Sequence, residues 1–137
     1  MALQVELVSP ERIAFSGEAK MVIARTTAGD IAFLTGHAPL VGVLQTHSVR
    51  VIMDDDSEES IAVHSGFIEV TGNKEASKVT ILSDVCELAG AIDVDRARSS
   101  KDRAEQALSS DPDDEEAAAA LERALVRLEV AGATESV

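Results

Sequence analysis

Four arginines in the last third of the chain have a spacing that could bind an anion. Arg96 and Arg103 are seven residues apart, almost eclipsed on a helix. Arg123 and Arg127 are one helical turn apart. In an antiparallel hairpin that turns near residues 111–113, Arg96 comes level with Arg127, and Arg103 then lies near Arg123. Guanidinium groups suit phosphate oxygens, so a polyphosphate is the favoured anion. The alternative is that these are surface arginines paired with neighbouring acidic side chains.

The other reactive side chains do not form a recognisable catalytic or metal-binding pattern. The three histidines, His37, His47 and His64, lie in separate segments without zinc-ligand spacing, and we expect ordinary loop or strand-edge histidines. Cys86 is the single cysteine, and we expect a buried, inert thiol. The chain contains no nucleophile elbow, P-loop or dinucleotide fingerprint. We therefore predict no catalytic residue and no metal ligand, and a hydrolase on a β sandwich is a remote hypothesis.

Composition argues against two further functional classes, nucleic-acid-binding proteins and membrane-spanning proteins. The chain has 137 residues and a net charge of −13, with 45% hydrophobic but only 2% aromatic residues. The acidity argues against nucleic acid as a partner, because such binding needs basic groups that displace counterions. No stretch approaches the roughly 18 apolar residues of a membrane span, and no signal-peptide pattern is present. We expect no direct insertion into lipid.

Hydrophobic periodicity divides the chain near residue 90. The earlier part has alternating, strand-like runs separated by turn residues, which predicts an antiparallel sandwich or barrel. The predicted strands cover residues 3–7, 20–25, 40–44, 49–53, 61–64, 67–70 and 79–82, and residues 29–30 are predicted to form a turn.

The later part has helical spacing. One helix is predicted from about Asp93 to Ser109, and a second starts beside Pro112, which cannot continue a helix interior. Leu121, Leu125 and Leu128 are predicted to share the second helix's apolar face. A short break between the helices predicts an antiparallel hairpin. Its stripe is narrow and mostly alanine, so we expect it to dock weakly on the β domain.

Five segments in this order resemble motifs of the epsilon subunit of F-type ATP synthases. They are Val8–Arg12 with Phe15–Ala19, Gly36–Leu40 (GHAPL), Ser65–Val70 (SGFIEV), Val79–Asp84 (VTILSD) and Ile92–Ala97 (IDVDRA). The resemblance implies an all-β flattened sandwich of about ten strands over residues 1–88. A regulatory C-terminal antiparallel two-helix hairpin over residues 89–137 would follow.

The resemblance also implies a function and partners. The chain would be a non-catalytic rotor subunit of the central stalk, coupling proton-driven rotation to ATP synthesis, with catalysis on the beta subunits. Its β domain would contact the gamma subunit and the c ring, and its mobile hairpin would reach the alpha and beta subunits and inhibit ATP hydrolysis. The complex would lie peripherally on the cytoplasmic face of a bacterial cell membrane.

Specific residues follow from the same resemblance. The loop expected to face the c ring and gamma subunit includes Asp30, Gly36, His37, Ala38 and Pro39. Some relatives bind ATP at the folded hairpin, and the corresponding residues here are Glu87, Asp93, Arg96, Ala97, Arg103, Arg123 and Arg127. No cofactor is required, and ATP would be a regulatory ligand. A chain that acts mainly as an ATP-sensing module is the alternative hypothesis.

Overall fold

The chain folds into strands followed by two helices, as a computed structural model describing residues 2–132 shows. Met1 and residues 133–137, which the predicted domain bounds include, lie outside the described residues. The strands are β1 (Ala2–Ser9), β2 (Arg12–Ala19), β3 (Met21–Thr26), β4 (Gly29–Phe33), β5 (Leu40–Leu44), β6 (His47–Ile52), β7 (Glu58–Val63), β8 (Gly66–Gly72), β9 (Ala76–Leu82) and β10 (Cys86–Leu88). A 3₁₀ turn, Ala89–Ala91, leads to α1 (Val94–Ser110) and α2 (Glu115–Val130). The predicted sandwich of about ten strands with a helical hairpin is confirmed.

The strands form one curled sheet in the order β10-β7-β6-β3-β5-β8-β9-β1-β2, with β4 paired to β3. β10 at one end of this order contacts β1 and β2 at the other, so the sheet nearly closes on itself. β1 and β9 are parallel, with Val5 opposite Val79, whereas the other pairs within the described residues are antiparallel. The prediction of antiparallel pairing was wrong for this pair, because β1 meets a strand reached only after a long crossover.

Three strands differ from the sequence prediction. β2 lies between the predicted strands at residues 3–7 and 20–25 and was not predicted. Residues 29–30 were predicted to form a turn, yet they begin β4, where Asp30 lies opposite Arg25 of β3. The aspartate is tolerated in this edge strand because its side chain is exposed and paired with Arg25. β10 has only three residues, too few for a periodic pattern, and it forms by pairing with β7.

Aliphatic side chains fill the interior of the sandwich. Alternate residues of β1, Leu3, Val5 and Leu7, are at most 1% exposed, as expected for a strand with one face toward the core. Phe33 is fully buried and is the largest of these core side chains. The near absence of aromatic residues therefore leaves a core that depends on close packing of Val, Ile and Leu.

Both helices begin at an aspartate cap. The Asp93 carboxylate accepts a hydrogen bond from the Arg96 N–H, and Asp114 does the same for Ala117. The apolar face predicted for α2 was partly wrong: Leu128 is buried, but Leu125 is 42% exposed. The other buried residues of α2 are Ala117, Ala124, Val126 and Val130. Among the described residues, no helix is both long and apolar enough to cross a membrane.

Candidate functional site

A polar cleft of about 220 Å³ lies where β10, the start of α1 and the end of α2 meet. The N-terminus of α1 opens toward it, and helix N-termini favour anions because their N–H groups and dipole point outward. The lining includes five of the seven residues predicted to bind nucleotide: Glu87, Asp93, Arg96, Ala97 and Arg127, together with Ala91 and Ser100. The structure therefore brings residues from three separate elements into one polar space.

A second, wider cleft of about 430 Å³ runs between the two helices toward their connecting turn. Arg103 and Arg123 line it from opposite helices, as the antiparallel register predicted. Ser100 and Arg127 line both clefts, so we treat the two as one interhelical groove. All seven predicted nucleotide-binding residues line this groove.

Glu87 is the centre of a partly buried polar cluster in the groove. Its Oε1 accepts a hydrogen bond from Arg127 Nε at 2.6 Å and lies 3.1 Å from His64 Nε2. Burial alone would raise the pKa of Glu87, but the hydrogen bond and charge of Arg127, together with the hydrogen bond from His64, outweigh burial and leave the pKa below its usual value. Glu87 is therefore ionised at neutral pH and links the β domain to α2.

The other arginines are held more loosely. Arg103 Nη2 donates to Ser100 Oγ at 3.1 Å, and Arg123 Nη2 lies 3.4 Å from a largely exposed Glu116 carboxylate. Within residues 2–132, the exposed Arg96 guanidinium has no hydrogen bond or ion pair. Arg123 and Arg127 are therefore paired with acidic side chains, as the alternative interpretation expected. Arg96 and Arg103 keep their charges available to a ligand.

The predicted contact residues lie on the β domain and do not line the groove. Asp30 is on β4 and forms an ion pair with Arg25 at 2.8 Å, so it is a strand residue rather than a loop residue. Gly36 has a φ of 90° and its N–H donates to Ser77 Oγ at 2.9 Å. The His37 ring rests against Phe33, with ring centroids 4.9 Å apart. Ala38 and Pro39 follow in an exposed turn.

Sequence reasoning missed an exposed apolar row on the sheet. Val43, Phe67 and Leu82 lie directly opposite one another on β5, β8 and β9, and they are 46%, 57% and 49% exposed. Together with Val8 and Pro10 they line a largely apolar cleft of about 480 Å³. Strand alternation could have identified the row, because these residues are apolar at positions whose neighbours already face the core.

His64 was also misjudged. It lies in the loop directly after β7, as expected, but it is only 7% exposed, and Nδ1 is without a hydrogen-bond partner among the described residues. The available signal was the run Ile61–His64, which does not alternate and so predicts burial on both faces. Cys86 is buried and free, as predicted, and burial raises its pKa.

Together these features define a two-part protein: a β sandwich that carries a helical hairpin, with a groove lined by four arginines and four acidic side chains. Within residues 2–132, no group of three or more His, Cys, Asp or Glu side chains is placed to hold a metal ion. Residues 2–89 match the family described as ATP synthase, Delta/Epsilon chain, beta-sandwich domain. Residues 91–132 match the corresponding long alpha-helix domain.

Curated relatives agree with this family. The chain is 47% identical over 107 residues to the ATP synthase epsilon chain of Brevibacillus brevis, covering 78% of each chain. It is 44% identical over 126 residues to that of Streptomyces griseus, covering 92% of each. A chain in the Euglena gracilis mitochondrial ATP synthase, OSCP/F1/c-ring structure, has a TM-score of 0.68 at 19% identity. That alignment covers 96% of this chain and 78% of the other, and it supports the fold.

The chain therefore belongs to the ATP synthase epsilon chain family. Members of this family are non-catalytic components of the central stalk, and this chain is such a subunit of the ATP synthase complex. This membership excludes the hypothesis of an unrelated hydrolase.

Proposed function

We propose that the β domain couples rotation to catalysis by contacting the gamma subunit and the c ring, and that the hairpin restrains ATP hydrolysis. The complex then lies peripherally on the cytoplasmic face of a bacterial cell membrane, reached through protein partners rather than lipid. The main support is the unequal attachment of the two parts. The sandwich has a continuous aliphatic core, whereas the hairpin is seated through the small cluster Ala62, Ile92, Val126 and Val130. An element attached over so little apolar surface can exchange between docked and extended positions.

The β domain has two separate surfaces for the proposed partners. The row Val43, Phe67 and Leu82 is apolar and exposed, as expected of a surface that a permanent protein partner covers. We assign it to the gamma subunit. The turn Gly36–Pro39 lies at the end of a strand pair, with Leu34 45% exposed beside it, and we assign this turn and Asp30 to the c ring. Purification through the gamma subunit tests the first assignment: Phe67→Asp should be lost from the complex, whereas Glu18→Gln, at an exposed position of β2, should be retained.

We also propose that the interhelical groove binds ATP as a regulatory ligand in the docked state. The observation that carries this is that the guanidinium groups of Arg96 and Arg103 on α1 and of Arg123 and Arg127 on α2 line one groove. ATP whose phosphates pair with arginines of both helices, and whose base N–H donors reach the Glu87 carboxylate of the β domain, binds only the docked hairpin. It therefore shifts the population by its differential affinity for the two states.

Hydrolysis by the assembled enzyme tests the inhibitory role. We expect enzyme that lacks residues 92–137 to hydrolyse ATP faster than the native enzyme, most clearly at low ATP, where the hairpin is least often held docked. Equal rates at every ATP concentration would contradict the proposal.

Calorimetry on the isolated chain tests the ATP site. Native chain should bind ATP at millimolar concentration or below. Arg96→Ala is the sharper variant, because the Arg96 side chain has no ion pair within residues 2–132 whose loss would disturb docking. Arg127→Ala should abolish binding as well, but it also breaks the contact with Glu87. Arg98→Ala, a change of equal charge at an exposed position outside the groove, should bind like native chain. An absence of binding by native chain would exclude the site.

A further inference from the structure

His64 is a buried ionisable group at the base of the hairpin that the functions proposed above do not use. Its backbone N–H donates to the Val85 carbonyl at 3.2 Å, which fixes the residue between β7 and β10. Its side chain is 4% exposed. The ring therefore lies in a site where each nitrogen must find a partner or remain unsatisfied.

The hydrogen-bond geometry fits the neutral form of this ring. A carboxylate only accepts hydrogen bonds, so Nε2, 3.1 Å from Glu87 Oε1, carries the hydrogen. Nδ1 is then a bare acceptor, and it has no partner among the described residues. Protonation would add a second N–H at Nδ1, and a buried unpaired donor is costly.

The charges around the ring also disfavour protonation of His64. Glu87 Oε1 also accepts the Arg127 Nε hydrogen, so a protonated His64 and Arg127 would be two cations sharing one oxygen. The charged groups that face His64 are Glu87 on β10 and Arg127 and Arg123 on α2. Burial lowers the pKa of His64, and Arg127 and Arg123 lower it further, against the opposing effect of Glu87. Two of the three groups leave when the hairpin undocks.

We propose that His64 is a proton-dependent positioning residue for the hairpin. In its neutral form it orients Glu87 to receive Arg127. In its protonated form it pairs with Glu87 itself, and Arg127 is released. Docking therefore favours neutral His64 and weakens as the pH falls through the pKa of the undocked state. The inference rests on the mobile hairpin of the proposed function but not on its ATP site, so nucleotide-free chain can test it.

Nuclear magnetic resonance of the histidine rings in the full chain is the first test. The His64 ring should titrate below its ordinary value of 6.5 in native chain. In Arg127→Gln, which removes the cation but keeps a polar side chain, its midpoint should rise. Arg98→Gln makes the same change at an exposed site and should leave the His64 midpoint unchanged. A His64 midpoint that is identical in native chain and Arg127→Gln would overturn the proposal.

Docking can be measured directly as the second test. Energy transfer between dyes at Ser110→Cys and Lys74→Cys, in a Cys86→Ala background, reports the position of the hairpin. Urea is set so that half of the native hairpins are undocked at about pH 7.5. Between that pH and about pH 5.5, the ratio of docked to undocked chains should fall about three- to tenfold. His64→Gln keeps an N–H donor for Glu87 but cannot titrate, so its ratio should stay constant. His47→Gln should respond to pH as native chain does.

An equal pH response in native chain and His64→Gln would overturn the proposal. If His64→Gln does not fold, the ring titration in Arg127→Gln decides alone. A chain that binds no ATP but loses docking with falling pH would contradict the nucleotide site and support the role of His64, so the two failures are distinguishable.

Discussion

The β domain and the hairpin are held together by different kinds of contact. Inside the sandwich, large aliphatic side chains from opposite ends of the sheet are fully buried, and such contacts make unfolding cooperative. The hairpin instead rests on Ala62 and Ile92 through Val126 and Val130, beside the Arg127–Glu87 ion pair. Small apolar contacts with one shared ion pair stabilise a position without making it permanent.

This difference matches the two roles proposed for the parts. A domain that transmits rotation must keep its shape, whereas an inhibitory element must move within the lifetime of the complex. The groove is formed by residues from both parts, so anything that binds there senses whether the hairpin is docked. We therefore expect that the β domain and the hairpin can be destabilised independently.

The sandwich should respond most strongly to loss of a core side chain. Leu7→Ala removes a side chain that is 0% exposed and should lower the free energy of unfolding by about 2–5 kcal/mol, because it leaves a cavity. Denaturant unfolding followed by circular dichroism measures this loss. Leu82→Ala, at a position that is 49% exposed, should change the free energy by less than about 0.5 kcal/mol. Similar losses for both variants would show that the core is not the source of rigidity.

A second substitution should weaken docking while sparing the sandwich. Ala62 is fully buried under the hairpin, so Ala62→Leu has no room and should cost about 1–3 kcal/mol of docking free energy. Hydrogen exchange should accelerate in α2 but not in β1 or β8. Ala32→Leu is the control, because that residue is exposed on β4. Acceleration throughout the sheet would show that hairpin and sandwich form one cooperative unit.

Removal of the shared carboxylate should have a smaller effect with a distinct pH signature. Glu87→Gln should weaken docking by about 1–2 kcal/mol at neutral pH, because a neutral amide holds Arg127 less strongly. The pKa of Glu87 is lowered in the docked state, so its contribution is complete above its ordinary value of 4.5 and is lost as the pH falls through the lowered value.

The energy-transfer assay should therefore show native docking weakening as the pH falls below the ordinary Glu87 value of 4.5, with a flatter response in Glu87→Gln. Glu69→Gln, on the exposed face of β8, should retain the native response. If docking fell with pH equally in native chain and in Glu87→Gln, a group other than Glu87 would be responsible for the acid sensitivity.

The sequence predicted much of this arrangement because its signals were local. Alternation identified β1, a proline with adjacent acids marked the break between the helices, and arginine spacing placed both arginine pairs in one groove. β2, β4 and β10 escaped because two edge strands and a three-residue strand exist through their partners rather than through their own pattern. His64 escaped for a related reason: its burial depends on β10 and α2, which lie more than 20 residues further along the chain.

The apolar face of α2 shows the same limit and gives the smallest predicted effect. Heptad-like spacing grouped Leu125 with Leu128, but Leu125 is 42% exposed while Leu128 is 5% exposed. The buried side of α2 is set by Ala124, which allows α1 to approach, and the two leucines consequently fall on different sides of the boundary. Leu125→Ala should therefore change the free energy of unfolding of the isolated chain by less than about 0.5 kcal/mol, whereas Leu128→Ala should cost several times more. If Leu125→Ala proved as costly as Leu128→Ala, the docked hairpin would pack through the leucine stripe, and the small cluster of Ala62, Ile92, Val126 and Val130 would no longer account for its mobility.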